Sequence, residues 1–190
     1  MSPQTLLALA ALTGAVAFAG AAAAQTPENT ATIQTTFRGQ VDPACLLSIP
    51  SSPTSENAQL GAAGPGSADI SIGQLAGDDG ASLGATIVLV LPAVCNQAHT
   101  LNLASQNGGL QGDGPPLTGG PFRSNLPYSV TVNWADTEQT YATEDDALSV
   151  AVGDAAVGSV TVTIQIPPGG APLAAGAYSD EIVLELGAAG

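Results

Sequence analysis

The chain has 190 residues, with sixteen carboxylates against two cations, Arg38 and Arg123, no lysine, and a formal net charge of −14. That balance argues against nucleic acid or anionic lipid as a partner, since both are recognised through clusters of Lys and Arg. Gly and Pro are abundant at 23 and 14 residues, and Val, Ile and Thr crowd into short runs. This is the composition of a turn-rich all-β protein.

In chain order, the first feature is an apolar run from Leu6 to Ala19 that ends in Ala22-Ala23-Ala24 before Gln25. It reads as a signal peptide over residues 1–24 with a small-residue cleavage site, although no Lys or Arg precedes it. The run is shorter than the roughly 20 apolar residues of a membrane-spanning helix. An exported chain is therefore expected, with one ordinary domain in residues 25–190.

Between the cleavage site and Cys45, the odd positions hold Ala31, Ile33, Thr35, Phe37, Gly39 and Val41, while Thr32, Gln34, Thr36, Arg38 and Gln40 fill the even ones. Period-two alternation gives an extended segment one apolar and one polar face. On its own the pattern fits the first strand of a closed sandwich. Cys45 and Cys95 are the only cysteines, and an even pair in an exported protein is expected to close one disulfide. The chain-entropy account gives a loop of that size about 4 kcal/mol of stabilisation.

Pro50 to Ser67 is rich in turn formers and reads as a loop. Strands are expected at 69–72, at the doubly apolar Thr86–Leu91, at His99–Leu103, at Leu126–Trp134, at Val160–Ile166 and at Tyr178–Leu186. Tyr128, Val130, Val132 and Trp134 share one face, as do Tyr178, Ile182, Leu184 and Leu186. Short strands at this spacing argue for an antiparallel β-sandwich.

Little in the chain points to catalysis. His99 is the sole histidine and reads as a solvated strand-end residue, without a nucleophile signature nearby. Asp78-Asp79 and Glu144-Asp145-Asp146 lack the spacing of a calcium loop and read as solvated turns. No phosphate-binding glycine loop is present, and Trp134 reads as core. The expectation is no enzyme, no metal, no cofactor and no nucleotide.

Four pieces, in order, resemble the spore coat protein U-like domain, the subunit type of archaic chaperone–usher pili. They are Ile70-Ser71-Ile72-Gly73-Gln74-Leu75, the run from Gly84 to Cys95, His99–Leu103 with Gly108-Gly109 and then Leu126-Pro127-Tyr128-Ser129-Val130, and the finish from Ile166-Pro167-Pro168-Gly169 through Ala175-Gly176-Ala177-Tyr178-Ser179-Asp180-Glu181-Ile182-Val183-Leu184. The likeness runs loosely from about Val41 to Leu186. Ile72 stands where the family has Phe, and the Cys45-to-Ile70 connection is long.

The resemblance implies an immunoglobulin-like sandwich missing one strand, over residues 43–190, with an N-terminal extension over residues 25–42. In that family a periplasmic chaperone lends the missing strand until another subunit's extension replaces it at the outer-membrane usher. By that likeness Ala31, Ile33, Thr35, Phe37, Gly39 and Val41 would form the donor strand, and Leu46, Ile182, Leu184 and Leu186 the acceptor groove. It also implies a surface fibre of a Gram-negative bacterium that supports adhesion or biofilm formation, reached through the periplasm. The alternative is a monomeric secreted β-sandwich that binds a ligand or coats a surface.

Overall fold

The computed structural model describes residues 33–115, 117 and 119–188, and the chain divides into two units, residues 1–39 and 40–190. The expected signal peptide and Ala31 lie outside the described residues. Residues 33–39 of the first unit belong to no strand and are exposed throughout.

The second unit is all-β. Its strands are β1 (Cys45–Leu47), β2 (Ser51–Glu56), β3 (Ala58–Gly64), β4 (Ser67–Ile72), β5 (Ser82–Cys95), β6 (His99–Ser105), β7 (Leu110–Gly112), β8 (Asn125–Leu126), β9 (Ser129–Trp134), β10 (Thr137–Ala142), β11 (Leu148–Val152), β12 (Ala156–Gly169), β13 (Tyr178–Ser179) and β14 (Ile182–Ala188). The largest sheet runs β1-β5-β12-β9-β10, with β2 also on β5. A second sheet runs β11-β6-β14. A third, β13-β7-β8, and the hairpin β3-β4 complete the set. Every strand pair is antiparallel.

Alternation in the long strands explains the layers. Ile87 and Leu89 of β5, Val160, Val162 and Ile164 of β12, and Val130, Val132 and Trp134 of β9 turn to one face and are buried. Leu101 and Leu103 of β6 and Val150 of β11 are buried in the same cluster. The two main sheets therefore share one core, as a β-sandwich requires.

Several segments depart from the reading of the sequence, and β10 and β11 fall where no strand was expected. The stretch expected to be loop from Pro50 to Ser67 contains β2 and β3. β2 is nearly all polar because its backbone alone pairs with β5, and the register slips between Ser51 and Thr54. Pro53, which has no N–H to give, sits at that irregularity on an outer strand, where proline is tolerated. His99, expected in solvent, is 1% exposed. Its Nε2 accepts a 2.7 Å hydrogen bond from the Trp134 indole, and its Nδ1 lies 2.8 Å from the Gln97 carbonyl oxygen. The period that buries Leu101 and Leu103 also carries His99 inward, and Trp134 of the facing sheet satisfies it.

Cys45 and Cys95 face each other in register across β1 and β5, with Cα atoms 4.2 Å apart, and form the disulfide. It holds the three-residue β1 on the edge of the main sheet. Replacing both cysteines with serine is expected to lower unfolding free energy by about 4 kcal/mol, measured by denaturant titration; a loss under about 1 kcal/mol would assign β1 to other forces. Trp134→Phe leaves the buried His99 Nε2 without its donor and is expected to cost about 1–3 kcal/mol in the same assay.

Candidate functional site

β14 is where the second sheet stops. One of its edges pairs with β6 from Ile182↔Ser105 to Ala188↔His99, and the other edge has no strand partner among the described residues. β1 lies close to β14 without pairing to it. Inward-facing Ile182, Leu184 and Leu186 are only half-buried, whereas Leu101 and Leu103 on the neighbouring strand are fully buried. The second sheet thus covers the inner face of the larger one incompletely.

The uncovered part is a groove of about 610 Å³. Ile87, Leu89 and Leu91 of β5 and Val162, Ile164 and Ile166 of β12 line it from the main sheet, with Leu103 from β6. Ile182 and Leu184 of β14 form one wall. Leu47 of β1 and residues of the β3-β4 hairpin, among them Ala58, Ile70 and Ile72, line the rest. An apolar channel beside an unpaired strand edge offers both things an added β-strand needs: ladder partners and side-chain pockets.

The hairpin is anchored at its base by Asn57, which has a positive φ of 52°. Its side-chain amide donates to the carbonyls of Gln74 and Gly84 at 2.7 and 2.6 Å, and its Oδ1 accepts from the Gln74 N–H at 2.9 Å. One side chain therefore ties both ends of the hairpin to β5. Asparagine tolerates the left-handed region better than most residues, and its amide supplies the bonds.

The start of β14 is fixed by Asp180. Its Oδ2 accepts from the hydroxyls of Ser105 at 2.6 Å and Tyr128 at 2.7 Å, and its Oδ1 accepts from the backbone N–H groups of Asn107 and Glu181 at 3.0 and 2.8 Å. Four donors on one carboxylate lock the turn before β14 to the end of β6. Ser105 also accepts from the Gly109 N–H at 3.2 Å, so its hydroxyl is held on both sides by structural bonds. Burial, then the hydrogen bond to Asp180 and its negative charge, pushes the Tyr128 phenol far above its ordinary value.

The sequence-derived site residues divide as follows. Ile182 and Leu184 line the groove. Leu186 is half-buried against the core beyond the groove lining. Leu46 is a correction: it is 63% exposed on the outer face of β1, and Leu47 lines the groove instead. Cys95 is buried and Cys45 partly so, and residues two apart on a strand share a face; Cys45 was therefore the signal that should have selected Leu47. Ile33, Phe37 and Val41 are 88%, 90% and 84% exposed, and Thr35 and Gly39 are exposed beside them. The Asp180 network and the hairpin lining were missed, because neither has a local signature.

Of the two cations, Arg123 is consumed internally. Its Nε and Nη2 donate to the carbonyls of Ala171 and Gly169 at 2.9 Å each. Arg38 is exposed on the polar side of the alternating segment.

The chain matches no family model, no curated protein and no solved structure.

The Tyr128 arrangement predicts an alkaline weakness. The phenol stays neutral in the folded state while the unfolded one ionises near pH 10, so this contribution is full below about pH 10 and is lost as pH rises above it. Tyr178, also raised by burial, acts in the same direction. Tyr128→Phe is expected to flatten the fall in denaturation midpoint between about pH 9 and pH 11; an unchanged slope would mean that Tyr128 ionises freely in the fold.

Proposed function

We propose that this chain is a polymerising subunit of a secreted surface fibre, in which the alternating segment of one copy fills the groove of the next. The observation that carries the reading is the coexistence, in one chain, of an apolar groove along the unpaired edge of β14 and an exposed segment alternating apolar and polar residues. Ile33, Phe37 and Val41 supply the plugs, with Ala31, Thr35 and Gly39 completing the inward face. Residues 25–42 are the extension, and residues 43–190 the sandwich that accepts it.

The energetics favour such an exchange. Moving three large apolar side chains out of water is worth about 2 kcal/mol each. Hydrogen bonds along the β14 edge add about 0.5–1.5 kcal/mol each, because the edge groups otherwise meet only solvent. Charge agrees as well: Arg38 on the outer side of the segment would meet a groove whose rim carries Asp69 and Glu181. In a chain of net charge −14, this is one of the few attractive ionic contacts that two copies can make.

The resemblance to spore coat protein U-like domains points the same way, and with it come the rest of the assembly. Residues 1–24 would direct export, a periplasmic chaperone would hold the groove until exchange, an outer-membrane usher would pass the subunits out, and the fibre would serve adhesion or biofilm formation. The partners are other subunits of the same or a similar type.

The test is a denaturing gel of exported protein run without boiling. Donor-strand contacts resist detergent until heated, so a ladder that collapses on boiling is expected, with loss of the ladder on deleting residues 25–42 or on Phe37→Asp. A monomer band in every unboiled lane, or a ladder unchanged by both variants, would overturn the reading.

A further inference from the structure

The outer face of the main sheet carries an apolar row that the core does not use. Leu46, Val94 and Val157 lie directly opposite one another across β1, β5 and β12. They are 63%, 38% and 84% exposed. Directly opposed residues on adjacent strands stand on the same face within side-chain contact, so the three form one continuous patch. In the next row outward-facing Ser48, Pro92 and Ser159 are uncharged, with the Ser48 N–H donating to the Pro92 carbonyl at 2.8 Å. Neither row contains a charged residue.

This patch sits beside the root of the extension. Asn96, next to Cys95, holds that root with three bonds: its amide donates to the Asp42 carbonyl at 2.8 Å, its Oδ1 accepts from the Ala44 N–H at 2.9 Å, and its own N–H donates to the Ala44 carbonyl at 3.1 Å. The chain therefore leaves the sandwich in a fixed place, one residue from Cys45.

From this placement we infer that the row Leu46–Val94–Val157 is the contact surface between the bodies of consecutive copies of this chain. The inference rests on the fibre reading. If the segment through Val41 lies in a neighbour's groove, only residues 42–44 connect it to its own sandwich, a reach of about 10 Å. The neighbour's body is then held against the end of the sheet where Leu46, Val94 and Val157 are exposed. Tethering at that distance makes even a small apolar contact effective, because the second contact is intramolecular in character. Charge selects the same surface: two copies of net charge −14 repel, and a charge-free patch is where they can approach at least cost.

The test places the photo-crosslinker p-benzoylphenylalanine at one position in the full chain, exported and assembled, as Val157→p-benzoylphenylalanine or, on the far strand β10, as Glu138→p-benzoylphenylalanine. Illumination is expected to give a boiling-resistant dimer, two copies of this chain by mass spectrometry, from the probe at 157 and not from the probe at 138. A normal unboiled ladder with no copy-to-copy adduct at 157, an equal adduct at both positions, or an adduct at 157 to a different protein overturns the contact while leaving the fibre reading intact. Loss of the unboiled ladder in the unsubstituted protein instead removes the fibre reading, and this contact with it.

Discussion

An unpaired strand edge next to exposed apolar surface is the constraint on which the rest of this molecule depends. β14 gives one edge to β6 and leaves the other without a strand partner among the described residues. Ile182 and Leu184 beside that edge are half-buried. Such an edge is an invitation to pairing, and proteins ordinarily blunt it with charge, proline or a covering element. Here the β3-β4 hairpin lines the groove without pairing to β14. The edge is kept in shape by polar bonds: Asp180 pins the turn that starts β14, and Asn57 pins the hairpin.

The polar network therefore has a positional role. On the proposed reading, a wall that is already ordered favours uptake of a strand, since ordering it at the moment of binding would subtract from the binding free energy. Asp180 engages four donors and Asn57 makes three side-chain hydrogen bonds. The disulfide does the same for β1, tying Cys45 covalently to Cys95 of β5. Among the described residues no buried side-chain polar atom lacks a partner, so the buried side chains are satisfied while the strand pairing of β14 is not.

Much of the fold was legible in the residues because long strands carry a strong period. Thr86–Leu91 and Val160–Ile166 are strands in both the sequence and the structure, the expected strand Leu126–Trp134 is split into β8 and β9 at Pro127-Tyr128, and the disulfide followed from having two cysteines in a chain that reads as exported. β2 and β10 were hidden by polarity, since outer strands are held by backbone pairing and need few apolar residues; Tyr141 is the one buried side chain in β10. His99 was misread because burial of a lone polar residue depends on a partner, Trp134, that lies thirty-five positions away. Of the groove, the β14 side was readable from its alternation. On the hairpin side only the strand holding Ile70 and Ile72 was readable, because the Gly, Ala and Ser residues beside them line a surface only by virtue of where the backbone goes.

The central claim is that the groove along β14 is completed by residues 29–41. The direct measurement is the thermal midpoint of a chain lacking residues 25–42, with and without a synthetic peptide of residues 29–41. Filling the groove with saturating peptide should stabilise the body by several kcal/mol, a rise of about 10 °C or more, and a peptide carrying Phe37→Asp should lose most of that rise. A midpoint that does not move with the native peptide, or moves equally with both, would contradict the account.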